Sequence, residues 1–423
     1  MSTTLAGTEV ESIRNLVRDC GTPCYLYDYA TLKDDYLNLR RSLPDEVRLY
    51  YSLKANPNPE ICRLVQDFGS PFEVASVGEL ELALRIGAAP ESILFTGPGK
   101  SRLEIRRCIR EGIYAINAES VQELHVIAEE AQAMSRTAQV MLRVNLNTSR
   151  GGSRMASVGV PSQFGIDEDD LDIAVSTAMS LRGIRLIGLH THQGTQNFRL
   201  DFYEESVTRM FALCRSLREK FDIPLSALGL GGGFGVPFFE DDEPFPIESF
   251  GALLAEQVRA NADLGLDWIS VESGRYIAAR MGLYICSVLY TKTSHGKQFA
   301  IVDGGTHHRA FVSALGGRSF RQPLPVRIVR PDGSHYTAGS EPDMEPVTIA
   351  GKLCTPTDVL QSGVPMREPA PGDIVVFPNA GAYGLTCGNV HFLSHDLPKE
   401  WLRRSDGSMT DVSWLHGVRR FLR

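Results

Sequence analysis

Basic residues are in short supply in this sequence. Lysine and arginine number 43 against 51 aspartates and glutamates, a formal net charge of −8. Binding nucleic-acid phosphates needs a basic face, so this balance argues against nucleic acid as a partner. CxxC pairs are absent too. Cys20 and Cys24 have no matching Cys or His pair downstream, so no zinc or other metal site is expected. The N-terminal stretch MSTTLAGTEVESIRN lacks the apolar stretch of an export signal. No run approaches the roughly 18 apolar residues of a membrane span. The eight cysteines then read as reduced thiols, and the expected location is the cytoplasm. No internal repeat or low-complexity segment stands out.

What is present is the balance of a globular chain, 43% hydrophobic and 22% charged. At 423 residues it exceeds what one compact core usually holds, which implies a large domain and a smaller one. From about residue 45 to 276 two patterns alternate. Short apolar or β-branched runs read as buried strands: 47–53, 72–75, 92–97, 114–117, 139–145, 185–192, 226–232 and 268–272. Between them lie segments of helical period at 79–87, 103–112, 119–132, 167–181 and 202–221. Strict alternation implies parallel strands with helical crossovers. Eight such units fit a closed (β/α)8 TIM-like barrel over residues 34–279. Beyond residue 280 the runs LYICSVLYT, QFAIVDG, VRIVR, VTIAG and DIVVF come with turns and few helices. They predict an antiparallel β-barrel or sandwich domain over 280–423. The stretch TPCYLYDYATL supplies a further strand, which brings residues 1–33 into that domain.

The predicted C-terminal strand ends carry Lys54, Ser76, His192, the glycines after Leu230, and Glu272. In a barrel of this kind that end is the active face. LGLGGGFGVPF puts Gly231, Gly232 and Gly233 after a strand and before a helical stretch. Backbone N–H groups there can converge on a phosphate, and a tight barrel turn would use the same residues. In VESGRY, Glu272 and Arg275 straddle a Ser-Gly turn. They are either an ion pair within the strand or two groups facing different parts of a ligand. His192 in HTHQGT is either a packed core residue or a group at the active face. One cofactor uses an amine, a phosphate cradle, a carboxylate for a pyridine nitrogen and a flat group for a ring: pyridoxal 5′-phosphate (PLP). Lys54 is the imine-forming amine in that reading.

The ordered set YYSLKAN, FEVASVGEL, HTHQGTQ, GGGFG, VESGRY, GKLCTPTD and GAYG resembles the fold-type III PLP decarboxylases. These are the diaminopimelate, ornithine and arginine decarboxylases with an alanine-racemase-like barrel. The resemblance covers about residues 22–400. It implies that Lys54 holds the cofactor, that His192 stacks on its ring, and that Glu272 binds its pyridine nitrogen. Thr195, Gly233, Gly274, Arg275 and Tyr383 would hold its phosphate, with Glu73 and Arg143 behind the ring. Cys354 would cross a homodimer interface to protonate the product carbon in a composite site, with Asp358 beside it. A carboxylate at Glu272 favours decarboxylation over racemisation, because racemases of this fold put an arginine there. Barrel-only, non-catalytic PLP proteins lack the β domain.

Departures from the diaminopimelate pattern bear on the substrate. Thr355 follows the cysteine where an acid is usual, Gln163 precedes Phe-Gly where a lysine is usual, and Phe311 stands eight residues after Asp303 where an arginine is usual. The motifs put Asp303, Thr355 and Asp358 at the substrate end, but without charged distal clamps. CTPTD, QFGID, GTQN, GGFGVP and HFLSH resemble a secondary-metabolism branch. It includes the butirosin-pathway L-glutamyl-carrier-protein decarboxylase and siderophore-pathway decarboxylases. That implies an α-decarboxylase acting on an amino acid with a tethered or derivatised distal end. Diaminopimelate decarboxylase, an amino-acid racemase and a non-catalytic PLP-binding protein are the alternatives. Between Gly304 and Arg330 there is no acid but five arginines, Arg309, Arg318, Arg321, Arg327 and Arg330. That basic patch could meet an acidic carrier protein, or it is a solvated face. His307 and His308 begin it, at a strand end or at the substrate entrance.

Overall fold

The computed structural model describes residues 7–147, 161–192, 194–239, 241–310, 324–340 and 343–415. The chain divides into two compact units, one of residues 34–236 with 243–277, the other of 1–33, 237–242 and 278–423.

The first unit is a closed barrel of eight parallel strands. These are β1 (Val47–Ser52), β2 (Phe72–Val74), β3 (Ile93–Phe95), β4 (Ala115–Ala118), β5 (Ala138–Asn145), β6 (Ile184–His190), β7 (Ala227–Gly232) and β8 (Trp268–Ser273). Each pairs with the next, and β8 pairs back onto β1, which closes the ring. Apart from the start of β6, the strands are buried along nearly their whole length, so they read as apolar runs rather than as alternating patterns. Tyr50, Leu94, Ala115, Met141, Ile187, Ala227 and Trp268, drawn from seven of the eight strands, form one interior cluster. Near it Trp268 is sandwiched. Its ring stacks on Tyr114 with centroids 3.6 Å apart, and the Arg48 guanidinium lies 3.7 Å from its ring centre. The inside of the barrel is thus a packed core.

Crossover helices start where serine caps them. The side chains of Ser76, Ser101 and Ser120 accept from the N–H three residues on, opening Val77–Arg85, Arg102–Glu111 and Val121–Ala133. Ser76, at the end of β2, is therefore a helix cap. The helices Tyr29–Ser42, Pro59–Asp67 and Ile247–Ala260 are also present, although the apolar spacing did not single them out. Pro59 sits at the start of its helix and Asn58 caps it. No helix begins directly after the glycine triplet. The next one starts at Ile247.

The second unit is a mixed sheet. Strand Cys24–Asp28 lies inside it, antiparallel to Gly282–Ser294 and parallel to Lys399–Arg403. Gly282–Ser294 also pairs antiparallel with Ile374–Phe377 and Lys297–Val302. Lys297–Val302 leads by a parallel pairing to Glu345–Ala350, which pairs antiparallel with Val359–Met366. Helix Gly7–Cys20 packs Val10, Ile13 and Leu16 onto Cys24, Leu26, Ile285, Val329, Ile374 and Val376 of this sheet. Among the described residues no helix is long and apolar enough to cross a membrane, and no cluster could hold a metal ion. None of the eight cysteines is in a disulfide.

One barrel carboxyl gives the stability a pH dependence. Burial pushes Glu79 up to about 7, although Oε2 accepts the Ala75 N–H at 2.7 Å. A carboxyl raised in the folded state is favoured when protonated. Its contribution is full at acid pH and is lost as pH rises through about 7. Glu79→Gln keeps the acceptor and cannot ionise. It should match the parent near pH ~4 and exceed it near pH ~8 by on the order of 2 kcal/mol in urea unfolding. Equal stability of the two proteins at the higher pH would refute this.

Candidate active site

Neighbouring strand ends of the barrel carry a continuous arc of polar groups. Glu73 in β2 stands opposite Ser52 of β1. Lys54 follows β1 in the single 3₁₀ turn Leu53–Ala55. Glu272 in β8 stands opposite Tyr50 of β1. On the other side, His190 ends β6 opposite Gly229 of β7, and Arg143 of β5 stands opposite His190. Parallel strands in register put all of these on one face of the barrel.

The Lys54 side chain is 39% exposed, and its Nζ donates to both oxygens of Glu73, at 3.1 and 3.2 Å. Glu73 itself is buried. The pair orients the lysine while leaving it in reach of solvent. Glu272 is buried, and its Oε1 lies 2.9 Å from Nε2 of His190. Burial alone would raise the Glu272 carboxyl. His190, then Lys54 and Arg143, outweigh this and hold it below the usual range, so it stays ionised. Its partner in the barrel is thus His190. His192 is held well below the usual imidazole range by burial, then by the charges of Lys54, Arg143 and His190, and is neutral at pH 7. Arg143 is buried. It donates to Glu119 Oε1 at 2.7 Å and lies 4.7 Å over the Phe164 ring. Glu119 also accepts from the N–H groups of Gly97 and Gly165, tying three loops together. Gln163, before Phe164, is exposed.

The glycine triplet packs against protein. Gly233 has φ +88°, and a Cβ there would collide with the backbone carbonyl of Gly194. The loops after β6 and β7 are zipped together. Asn197 N donates to Gly233 O, Gly235 N to Asn197 O, and the Gln196 amide bonds Val236 through both its carbonyl and its N–H. Thr195 sits within this zipped pair. Gly274 and Arg275 follow Glu272 after one residue, Ser273. Both are buried, and the Cβ that Gly274 lacks would meet Ala55, next to Lys54, at 2.7 Å. Sequence reasoning missed His190 and Glu119. The signal for His190 was its place two residues before His192 in the stretch HTHQGT.

The second unit carries Cys354, Thr355, Asp358, Asp303 and Tyr383. The Cys354 thiol is exposed. Thr355 Oγ1 is 3.0 Å from Thr357 Oγ1. Asp358 is buried and accepts from Thr306 N at 2.7 Å, Thr306 Oγ1 at 2.9 Å and Leu353 N at 2.7 Å. Asp303 accepts from Thr22 Oγ1 at 2.5 Å and Ser287 N at 2.9 Å. Both aspartates thus accept from backbone N–H groups and threonine hydroxyls of their own unit. A buried carboxylate costs too much to leave unpaired, and Thr306 and Leu353 supply the donors for Asp358. Tyr383 has φ +52°. His307 and His308 are buried and their rings pack at 3.6 Å. Burial lowers them to about 4 and about 3, so neither lines an entrance as an imidazolium. The basic patch loses a member as well. Arg309 is buried, 4.9 Å over the Phe377 ring, and Arg327 and Arg330 are half-buried. Arg318, Arg321 and Phe311 lie outside the described residues.

In kind, these groups meet what PLP requires. The barrel presents a tethered amine, an ionised buried carboxylate, a neutral imidazole and a buried arginine beside glycine. The family pattern "Pyridoxal-dependent decarboxylase, pyridoxal binding domain" matches residues 29–279. The L-glutamyl-[BtrI acyl-carrier protein] decarboxylase of Niallia circulans is 40% identical over 93% of this chain and 91% of its own length. The 2-[(L-alanin-3-ylcarbamoyl)methyl]-2-hydroxybutanedioate decarboxylase of Staphylococcus aureus is 32% identical over 89% and 92%. Among solved structures, diaminopimelate decarboxylase from Helicobacter pylori complexed with L-lysine superposes with a TM-score of 0.85. It shares 26% identity over 96% of this chain and 98% of that one. The cofactor is pyridoxal phosphate, and the chain belongs to the PLP-dependent amino-acid decarboxylases, which are carboxy-lyases.

Proposed function

We propose that this decarboxylase removes CO2 from the α-carbon of an L-amino acid whose distal end is joined to a larger group. The observation that carries the reading is Thr355. An uncharged side chain, engaged with Thr357, stands beside Cys354 where a charged distal clamp would select a free diamino acid. The names of two relatives support it. One acts on a glutamyl group on an acyl-carrier protein, the other on an alaninyl group in amide linkage to a hydroxybutanedioate. The rival is diaminopimelate decarboxylase, which the likeness in fold to the Helicobacter pylori enzyme favours.

In this reading Lys54 Nζ holds the cofactor, and Glu73 orients the amine. His192 presents a flat, neutral face to the ring. Glu272 supplies the negative charge at the pyridine nitrogen. Thr195, Gly233, Gly274, Arg275 and Tyr383 hold the phosphate. Bound PLP supplies the electron sink for the pair left on Cα when CO2 departs. Cys354 then gives its thiol proton to Cα, and solvent restores the thiol. An exposed thiol in one chain suits a group that acts in the site of a second copy, so the working form is a homodimer with two composite sites.

Two outcomes follow. With PLP present, CO2 should be released from an aminoacyl-carrier protein or an amide-linked amino acid, and far more slowly from free meso-diaminopimelate. Release from the free diamino acid alone would end the tethered-substrate reading. Lys54→Ala should lose the yellow imine band, and Cys354→Ala should keep it while losing about 10²- to 10⁴-fold in turnover. Mixing the two inactive variants should restore up to about a quarter of the activity, because half of the chains pair as heterodimers with one intact site. No recovery after confirmed subunit exchange would rule out the composite site.

A further inference from the structure

His190 and His192 stand two apart at the end of β6, and the proposed chemistry uses only His192. The other imidazole is fully buried, with Nε2 2.9 Å from Oε1 of Glu272. Reaching Glu272 takes the ring across β7, the strand between β6 and β8. The barrel is built for that crossing. Gly229 stands opposite His190 in β7, and a Cβ on it would lie 2.6 Å from Cδ2 of the ring. No other residue could stand there without moving the imidazole.

An ionised carboxylate can only accept, so Nε2 carries the proton between the two groups. Nδ1 is buried and has no hydrogen-bond partner. The ring therefore makes one polar contact, and that contact is to Glu272. It is also the largest of the influences that hold the carboxyl low against its burial. A buried residue serving only the core would be cheaper as an apolar one, since burying an unsatisfied nitrogen costs stability.

We propose that His190 is a positioning residue for Glu272: donation from Nε2 to Oε1 fixes the carboxylate's rotation and leaves Oε2 as the acceptor for the pyridine nitrogen of the cofactor. This rests on the reading of Glu272 given under the proposed function. His190 acts through Glu272 and takes no proton from the substrate.

The test uses the full-length protein reconstituted with PLP, in four variants: His190→Phe, His190→Gln, Gly229→Ala and Glu272→Gln. The readouts are the pH titration of the bound-cofactor absorption band without substrate, and kcat and KM for CO2 release. Losing a hydrogen bond to a charged group should cost His190→Phe about 10- to 100-fold in kcat, with KM within about threefold, and shift the titration of the band. His190→Gln keeps an N–H donor and should recover most of both. Gly229→Ala, which pushes the ring off its line, should behave like His190→Phe. It carries the test, with the glutamine variant, if the phenylalanine protein does not fold. A parental titration and kcat in both His190→Phe and Gly229→Ala, with Glu272→Gln impaired, would overturn the proposal alone. An unchanged band in Glu272→Gln would overturn the role of Glu272 and the proposal with it.

Discussion

Strand β8 pairs in parallel with β1, Glu272 against Tyr50 and Ser273 against Tyr51, and this pairing makes eight strands into a ring. Every polar group of the candidate site depends on it. Lys54 lies just past one edge of the seam and Glu272 on the other. Without closure, residues more than 200 positions apart in the sequence would hang from opposite edges of an open sheet. Closure also removes both exposed edges, so the backbone donors and acceptors of β1 and β8 satisfy one another.

Closure brings charges into a buried place, and the barrel pairs them to make that tolerable. Glu73 takes Lys54 and Glu119 takes Arg143, while the Glu272 carboxylate is hydrogen-bonded to His190. Breaking such a pair leaves a buried charge alone, which costs more than the pair itself contributes. The pairing also fixes orientation. Each partner sits on a strand or at a strand end, so the site rests on the stiffest part of the fold. The loops after β6 and β7 are the exception, and they are stiffened by their mutual hydrogen bonds through Gln196 and Asn197.

The second unit solves a different problem. Its sheet takes in the N-terminal strand Cys24–Asp28 and buries one face under helix Gly7–Cys20. The loop bearing Cys354 is held from within by Asp358, whose carboxylate gathers three donors. Asp303 likewise accepts from Thr22 and Ser287 of the same unit.

All eight barrel strands were legible in the sequence, within two residues at either end, because a strand buried on both faces must be a short apolar run. The same holds for helices with strong apolar period. Pro59–Asp67 and Gly7–Cys20 were not legible, since they are short or lie outside the repeating pattern. The motifs singled out Lys54, His192 and Glu272 as candidates, since those residue types at strand ends have few other uses together. Pairing is what the sequence could not supply. A one-dimensional pattern shows that Gly229 is small, but not that His190 crosses it. It shows an arginine run, but not that Arg309 lies under the surface. It shows Asp303 and Asp358, but not that backbone donors already occupy them. Such facts depend on which residues the closed ring and the folded sheet bring within about 3 Å, the range of a hydrogen bond, and only the tertiary structure decides that.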